Sequence, residues 1–175
     1  MNSSQVFWIT GLSGAGKTSV ALQAIEQLKD SGHDFVLLDG DVVRNGLCKD
    51  LGFSIEDRLE NIRRVAEVSK LFIQNGQSCI CTFISPTNGI RNMAAKLIGT
   101  DFFHEIYINT PLAICESRDP KGLYKKVRKG EIPNFTGISS AYEIPEKPDL
   151  ILDCYNHSLS KSVKELMDFI THKIQ

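Results

Sequence analysis

Apolar residues follow two rhythms along this chain. Short unbroken runs alternate with longer stretches in which apolar residues return every three or four positions. The runs are Val6-Phe7-Trp8-Ile9, then 34–39 (Asp-Phe-Val-Leu-Leu-Asp), 77–84, 102–108 and 149–153. Each has the length and composition of a buried strand. The periodic stretches predict helices over 19–28, about 54–74, 90–98, a short helix at 112–116, and a closing helix after Ser158. In the longest helix, Leu59, Ile62, Val65, Val68 and Phe72 form one stripe predicted to be buried. Ser54 and Asp57 stand three apart at its start, as a capping pair does. Gly32 and Gly99 end two helices, Pro111 opens another, and Ser158 caps the last, whose apolar side carries Val163, Leu166, Met167 and Ile170. Strands alternating with helices predict a three-layer α/β domain with a mostly parallel five-stranded sheet. In such a sheet ligands bind beyond the carboxyl ends of the strands. The loops at 11–18, 39–44 and 84–88 all leave strand ends and are expected to converge on one cleft.

One stretch breaks these rhythms. Residues 118–142 are basic, glycine-bearing and weakly periodic, with Lys121, Lys125, Lys126, Arg128 and Lys129. They read either as a solvated charged face or as a lid over phosphates. There is no linker, repeat or low-complexity segment, so one domain over 1–175 is expected.

Composition narrows the field. The 175 residues are 42% hydrophobic and 23% charged, with a formal net charge of -1. That balance suits a globular domain and gives no reason to expect a nucleic-acid or membrane surface. The polar start, Met1-Asn2-Ser3-Ser4-Gln5, has the features of neither a signal nor a transit peptide, so a cytoplasmic address is expected. The five cysteines form no C-x-x-C pair; Cys79 and Cys81 share a strand face, and reduced, partly buried thiols are expected. His33, His104, His157 and His172 form no ligand spacing and read as surface or loop residues.

Between the first strand and first helix lies Gly11-Leu12-Ser13-Gly14-Ala15-Gly16-Lys17-Thr18. This is G-x-x-x-x-G-K-[ST], the phosphate-binding P-loop, in its strand–loop–helix context. Its glycines let successive N–H groups converge on phosphate oxygens, and the helix start adds the positive end of a dipole. Lys17 is expected to reach the β- and γ-phosphates of ATP, and Thr18 to offer its hydroxyl to Mg²⁺. The chain lacks the N-K-x-D guanine-reading motif, which disfavours a GTPase. Its size and basic stretch suit a small-molecule kinase.

Further blocks make the chain resemble the adenylylsulfate (APS) kinase family. They are the P-loop, Leu38-Asp39-Gly40-Asp41 with Arg44, Phe53-Ser54 with Asp57-Arg58, and Glu60-Asn61-Ile62-Arg63-Arg64. Phe83-Ile84-Ser85-Pro86, Arg118-Asp119-Pro120-Lys121-Gly122-Leu123-Tyr124, Phe135-Thr136-Gly137-Ile138 and Pro148-Asp149-Leu150 complete them. The resemblance implies a fold like that of nucleoside monophosphate kinases. It implies transfer of the ATP γ-phosphate to the ribose 3′-hydroxyl of APS, in sulfate activation. It assigns ATP to Gly11, Ser13, Gly14, Ala15, Gly16, Lys17, Thr18 and Ser19, with Arg118 stacking on the adenine. It assigns the acceptor to Asp41, Arg44, Phe53, Arg58, Asn61, Ile84, Ser85, Lys121, Leu123, Asn134 and Phe135.

The chemistry of these residue types agrees. Arg44 and Arg58 can meet an anionic bridge, and Phe53 and Phe135 can sandwich a base. A 3′-hydroxyl is a poor nucleophile, so a carboxylate is expected as base or metal organiser. Asp41 is the first choice for both roles, and Asp39, acting through metal-bound water, is the second. Ser85 matches a serine assigned in the family as a phosphoserine intermediate; direct in-line transfer is physically simpler, because no general base is evident beside it. After Ser85-Pro86 the family carries an aromatic residue and then Asp-Arg. Here the run is Thr87-Asn88-Gly89-Ile90-Arg91, which retains only the arginine. A kinase of the same family that acts on the ribose 3′-hydroxyl of cytidine diphosphoramidate is therefore the alternative, and a catalytically silent nucleotide-binding module a more distant one. The partner is a small-molecule nucleotide, not nucleic acid or membrane, and a homodimer is compatible with the sequence.

Overall fold

The computed structural model describes residues 4–174. Five strands form one sheet: β1 Val6–Thr10, β2 Phe35–Asp39, β3 Ser78–Thr82, β4 Phe103–Ile108 and β5 Leu150–Leu152. Their order is β2-β3-β1-β4-β5, and every pairing is parallel. The helices are α1 Lys17–Asp30, α2 Gly40–Asn45, α3 Ile55–Gln74, α4 Asn88–Ile98, α5 Leu112–Arg118, α6 Leu123–Arg128 and α7 Leu159–Ile174.

Strand alternation divides the core in two. Phe7, Ile9, Ile80, Ile106 and Ile108 face α1 and α7, where Val20, Ala24, Leu28, Leu166 and Ile170 meet them. Val6, Trp8, Cys79, Cys81 and Phe103 face α3 and α4, where Ile62, Val65, Ala66, Ala94 and Ile98 meet them. All these side chains are buried, which is why the strands read as unbroken apolar runs. Cys79 and Cys81 do share a face, and all five cysteines are free. Burial pushes the Cys79 thiol up to about 12, so it is inert. No helix among the described residues is long and apolar enough to cross a membrane.

The predicted strands and five longer helical stretches are present, with ends moved by a few residues. The Ser54 hydroxyl accepts the Asp57 amide at 3.0 Å and Ser158 accepts that of Lys161 at 3.3 Å, so both caps form. Three details differ from the sequence expectation. Leu59 is exposed, because the buried face of α3 runs through Asn61, Ile62, Val65, Ala66 and Ser69. His104 is buried inside β4; its ring stacks on Phe7 and Nε2 bonds Gln5 at 3.0 Å. Two six-residue helices, α2 and α6, stand where the sequence shows no periodic stripe.

Candidate active site

Gly11 leaves β1 with a φ of 155°, and an added Cβ there would lie 3.0 Å from the Ile108 carbonyl oxygen. At Gly14, φ is 74° and the Cys115 carbonyl oxygen would be equally close. Only glycine fits this tight path. The loop borders a cleft of about 760 Å³, in the range of small-molecule sites, lined by Ser13, Gly14, Ala15, Gly16, Lys17, Thr18 and Ser19. Gly11 lies beneath, its carbonyl accepting from Lys17 Nζ at 2.9 Å, while the Leu12 carbonyl accepts from the same ammonium at 2.7 Å. Burial lowers the pKa of Lys17 to about 8, with Lys121 adding to the effect.

The two aspartates occupy different environments. Asp39 is buried, and its Oδ2 accepts from the hydroxyls of Thr18 and Thr82, each at 2.8 Å. Its Oδ1 accepts the Asp41 amide at 3.0 Å, which caps α2. Burial opposes ionisation of Asp39, but the two hydroxyls and the amides of Asp41 and Val42 outweigh it and hold the carboxyl below its ordinary range. Asp41 lies exposed on the first turn of α2 and forms an ion pair with Lys121. A magnesium ion beside a nucleotide takes one or two carboxylates, keeps several waters and shares the phosphates. The Thr18 hydroxyl and Asp39 carboxylate, meeting at the foot of the P-loop, are a donor set that fits such an ion.

The opposite end of the cleft is cationic and aromatic. The Arg44 guanidinium lies 4.4 Å over the Phe53 ring and donates to the Gly52 carbonyl at 2.8 Å. Arg58 donates to the Phe53 carbonyl at 3.0 Å, the Thr136 hydroxyl at 2.6 Å and the Asn134 carbonyl at 2.5 Å. Asn61 is 4% exposed and borders the cleft, yet its Oδ1 has no hydrogen-bond partner among the described residues. Buried polar atoms are almost always paired, so this oxygen is a candidate acceptor for a ligand hydroxyl. Ile84 and Ser85 also line the cleft. Ser85 is 2% exposed, and its Oγ accepts from the Trp8 indole at 3.1 Å.

The basic stretch closes the remaining side. Lys121, Leu123 and Phe135 border the cleft; Asn134 does not, and reaches it only through the carbonyl that holds Arg58. Phe135 meets Tyr124 edge-on with ring centroids 5.0 Å apart. Arg118 is not paired with Glu116, which binds Arg128 at 2.7 Å. It donates instead to the Cys154 carbonyl at 3.0 Å and weakly to that of Ala15 at 3.4 Å, joining the P-loop to the turn after β5. Cys154, Tyr155, His157 and Leu159 border the cleft beside it, none of them singled out by sequence. Their position past the carboxyl end of the last strand was the available signal. All three loops expected to converge do so.

A family model described as adenylylsulphate kinase matches residues 3–153. The chain belongs to the adenylylsulphate kinase family. A probable adenylyl-sulfate kinase of Bacillus subtilis is 50% identical over 173 residues, 99% of this chain and 88% of the relative. The adenylyl-sulfate kinase of Bacteroides thetaiotaomicron is 52% identical over 172 residues, covering 98% and 86%. Among solved structures, the Mycobacterium tuberculosis APS kinase in complex with AMPPNP and APS superimposes with a TM-score of 0.92 at 42% identity, over 98% of this chain and 99% of that one. The adenylylsulphate kinase family is thus shared in sequence and in fold, over nearly the whole length.

Proposed function

We propose that this chain transfers the γ-phosphoryl group of ATP to the ribose 3′-hydroxyl of adenylyl sulfate. The carrying observation is that one cleft holds a P-loop at one end and the Arg44–Phe53–Arg58–Asn61 wall at the other. Relatives near 50% identity named adenylyl-sulfate kinase, and a similar structure in complex with AMPPNP and APS, support ATP and adenylyl sulfate as the occupants of that cleft. The cytidine alternative has no comparable support.

In this reading the acceptor 3′-oxygen attacks the γ-phosphorus in line, the bond to the β-phosphate bridging oxygen breaks, and ADP leaves. Asp41, free to turn from Lys121, takes the 3′-hydroxyl proton. Lys17 leaves the Gly11 and Leu12 carbonyls for the phosphates, where it offsets charge on the transferring group. Thr18 and Asp39 would hold a magnesium ion, which when bound supplies charge neutralisation at the phosphates. Asn61 Oδ1 receives a ribose hydroxyl. Arg44 and Arg58 face the phosphosulfate, and the base lies between Phe53 and Phe135. Arg118 contacts the ATP adenine. Transfer is direct: the buried Ser85 hydroxyl is tied to Trp8, with no carboxylate or imidazole bonded to it among the described residues. The segment 118–142 acts as the lid of a single kinase domain. A cytoplasmic address is part of the proposal, since free cysteines suit a reducing compartment.

The test is kcat/KM for adenylyl sulfate against cytidine diphosphoramidate with purified protein and Mg·ATP. Adenylyl sulfate should be strongly preferred. A preference for the cytidine compound would overturn the acceptor while leaving the phosphoryl transfer in place.

A further inference from the structure

Arg91 is fully enclosed, at 2% exposure, and is not among the residues that line the cleft. It sits on the first turns of α4, with both Nη groups hydrogen-bonded and Nε in an ion pair. Nη1 donates to the Ser85 carbonyl at 2.6 Å; Nη2 donates to Asn88 Oδ1 at 2.5 Å and to the Glu143 carbonyl at 2.8 Å. Nε lies 2.6 Å from the Glu105 carboxylate on β4. A cation this deeply buried persists only when paired and hydrogen-bonded.

The partners converge on one short stretch. Three consecutive carbonyls after β3 are each held from behind: Ile84 by the Thr10 hydroxyl at 2.6 Å, Ser85 by Arg91, and Pro86 by the Glu143 amide at 2.8 Å. The Tyr142 hydroxyl bonds Thr10 at 3.0 Å, and Glu143 Oε2 accepts the Asn88 amide at 2.7 Å. Ser85 itself has a φ of 38°, in the left-handed region where a residue with a side chain is strained. Such a conformation survives only where its surroundings over-determine it, and residues of this kind cluster at functional sites. The other faces of Ile84, Ser85 and Pro86 form the cleft wall, on the side of Phe83 and Asn61.

We infer that Arg91 is a positioning residue for the acceptor nucleotide, acting through the Ser85 turn and fastening that turn to the end of the basic segment at Tyr142 and Glu143. This rests on the kinase reading above and adds a residue that touches neither nucleotide. Its arms reach the acceptor wall and not the P-loop, so its loss should weaken acceptor binding and leave ATP binding nearly intact.

The variant is Arg91→Lys, which keeps the charge facing Glu105 but cannot hold Ser85, Asn88 and Glu143 together. Acceptor KM for adenylyl sulfate should rise about tenfold, the factor expected for a lost buried hydrogen-bond partner, with ATP KM within about twofold of the parent. Amide hydrogen exchange over 84–88, read without nucleotides, should accelerate. An unchanged acceptor KM, a parallel rise in both KM values, or unchanged exchange at 84–88 would each overturn the inference. If Arg91→Lys does not fold, Tyr142→Phe, which deletes one hydroxyl and keeps the ring, is judged by the same criteria with a KM rise of about threefold. Should the parent protein phosphorylate no nucleotide, the kinase reading fails on that result, and the exchange measurement still decides whether Arg91 fastens the Ser85 turn.

Discussion

The Thr18 hydroxyl donates a 2.8 Å hydrogen bond to Asp39, not to Asp41 two residues further on. Asp41 pairs with Lys121 across the cleft. The two carboxylates of Asp39-Gly40-Asp41 therefore belong to opposite partners, one to the P-loop and one to the basic segment. Under the proposed function these environments divide the roles that sequence leaves open: Asp39, bonded to the Thr18 hydroxyl, would hold the metal, and Asp41 would take the acceptor proton.

Substituting each aspartate separates those roles. Asp39→Asn should raise the Mg²⁺ concentration needed for half-maximal rate and lower stability, because Thr18 and Thr82 lose a charged acceptor. Asp41→Asn should leave that Mg²⁺ requirement unchanged and lower kcat by roughly 10²–10⁴-fold, the usual worth of a general base. Rate against Mg²⁺ for the two variants checks the assignment, which is reversed if Asp41→Asn is the variant with the shifted Mg²⁺ curve.

Lys17 carries a pH prediction. Its pKa of about 8 without ligands lies below the ordinary lysine value of about 10.4, so folding disfavours its charge. That cost is fully present below pH 8 and fades as pH rises towards the unfolded value. Phosphates restore the charge, so ATP binding at pH 8.5 to 9 should take up close to one proton, and affinity should fall as pH rises through 8. Calorimetry in buffers of different ionisation enthalpy measures the uptake. Lys17→Met should abolish both the uptake and phosphoryl transfer without loss of thermal stability at pH 7.

The basic segment should be ordered unevenly by nucleotides. Tyr124 is buried and its hydroxyl bonds the Ser13 carbonyl at 2.9 Å, while Tyr142 is fastened to Thr10. Between those anchors, Arg58 holds the 134–136 turn with bonds that an anionic acceptor would compete for. Hydrogen exchange should therefore show ligand-dependent protection concentrated in 129–141 and little change in α6. Uniform behaviour from 118 to 142 would contradict this.

Phe53 and Phe135 should prove unequal. Phe53 is 60% exposed and covered by the Arg44 guanidinium, whereas Phe135 also packs against Tyr124. Phe53→Ala should raise acceptor KM by about tenfold, in keeping with the ~1–3 kcal/mol of a base–aromatic stack, at almost no cost to melting temperature. Phe135→Ala should raise KM and lower the melting temperature together. Thermal melts beside kinetics distinguish the two.

Local chemistry was legible in the residues. The strands show as apolar runs because both sheet faces are covered. The P-loop shows because only glycine tolerates the approach to the Ile108 and Cys115 carbonyls. The start of α3 shows because Ser54 and Asp57 cap it within one turn. Each feature rests on residues that are neighbours in the chain or on the covering of a whole element. By contrast, α2 and α6 are too short to display a period, and Leu59 fits the helical spacing yet falls outside the buried face of α3.

Tertiary structure alone decided which side chains meet. The choice of Asp39 over Asp41 as partner for Thr18 depends on how β2 lies relative to the P-loop, 21 residues away along the chain. Burial of His104 depends on Phe7 and Phe169 closing over β4, and the bond between Arg118 and Cys154 on the return of β5 to the sheet edge. Arg91 is the clearest case. In sequence it is one arginine in an altered run; in the fold it joins Ser85, Asn88, Glu105 and Glu143, from three separate parts of the chain. A hydrogen bond has a reach of about 3 Å and no memory of chain separation, so residue type and spacing specify which groups need partners, and only packing supplies them.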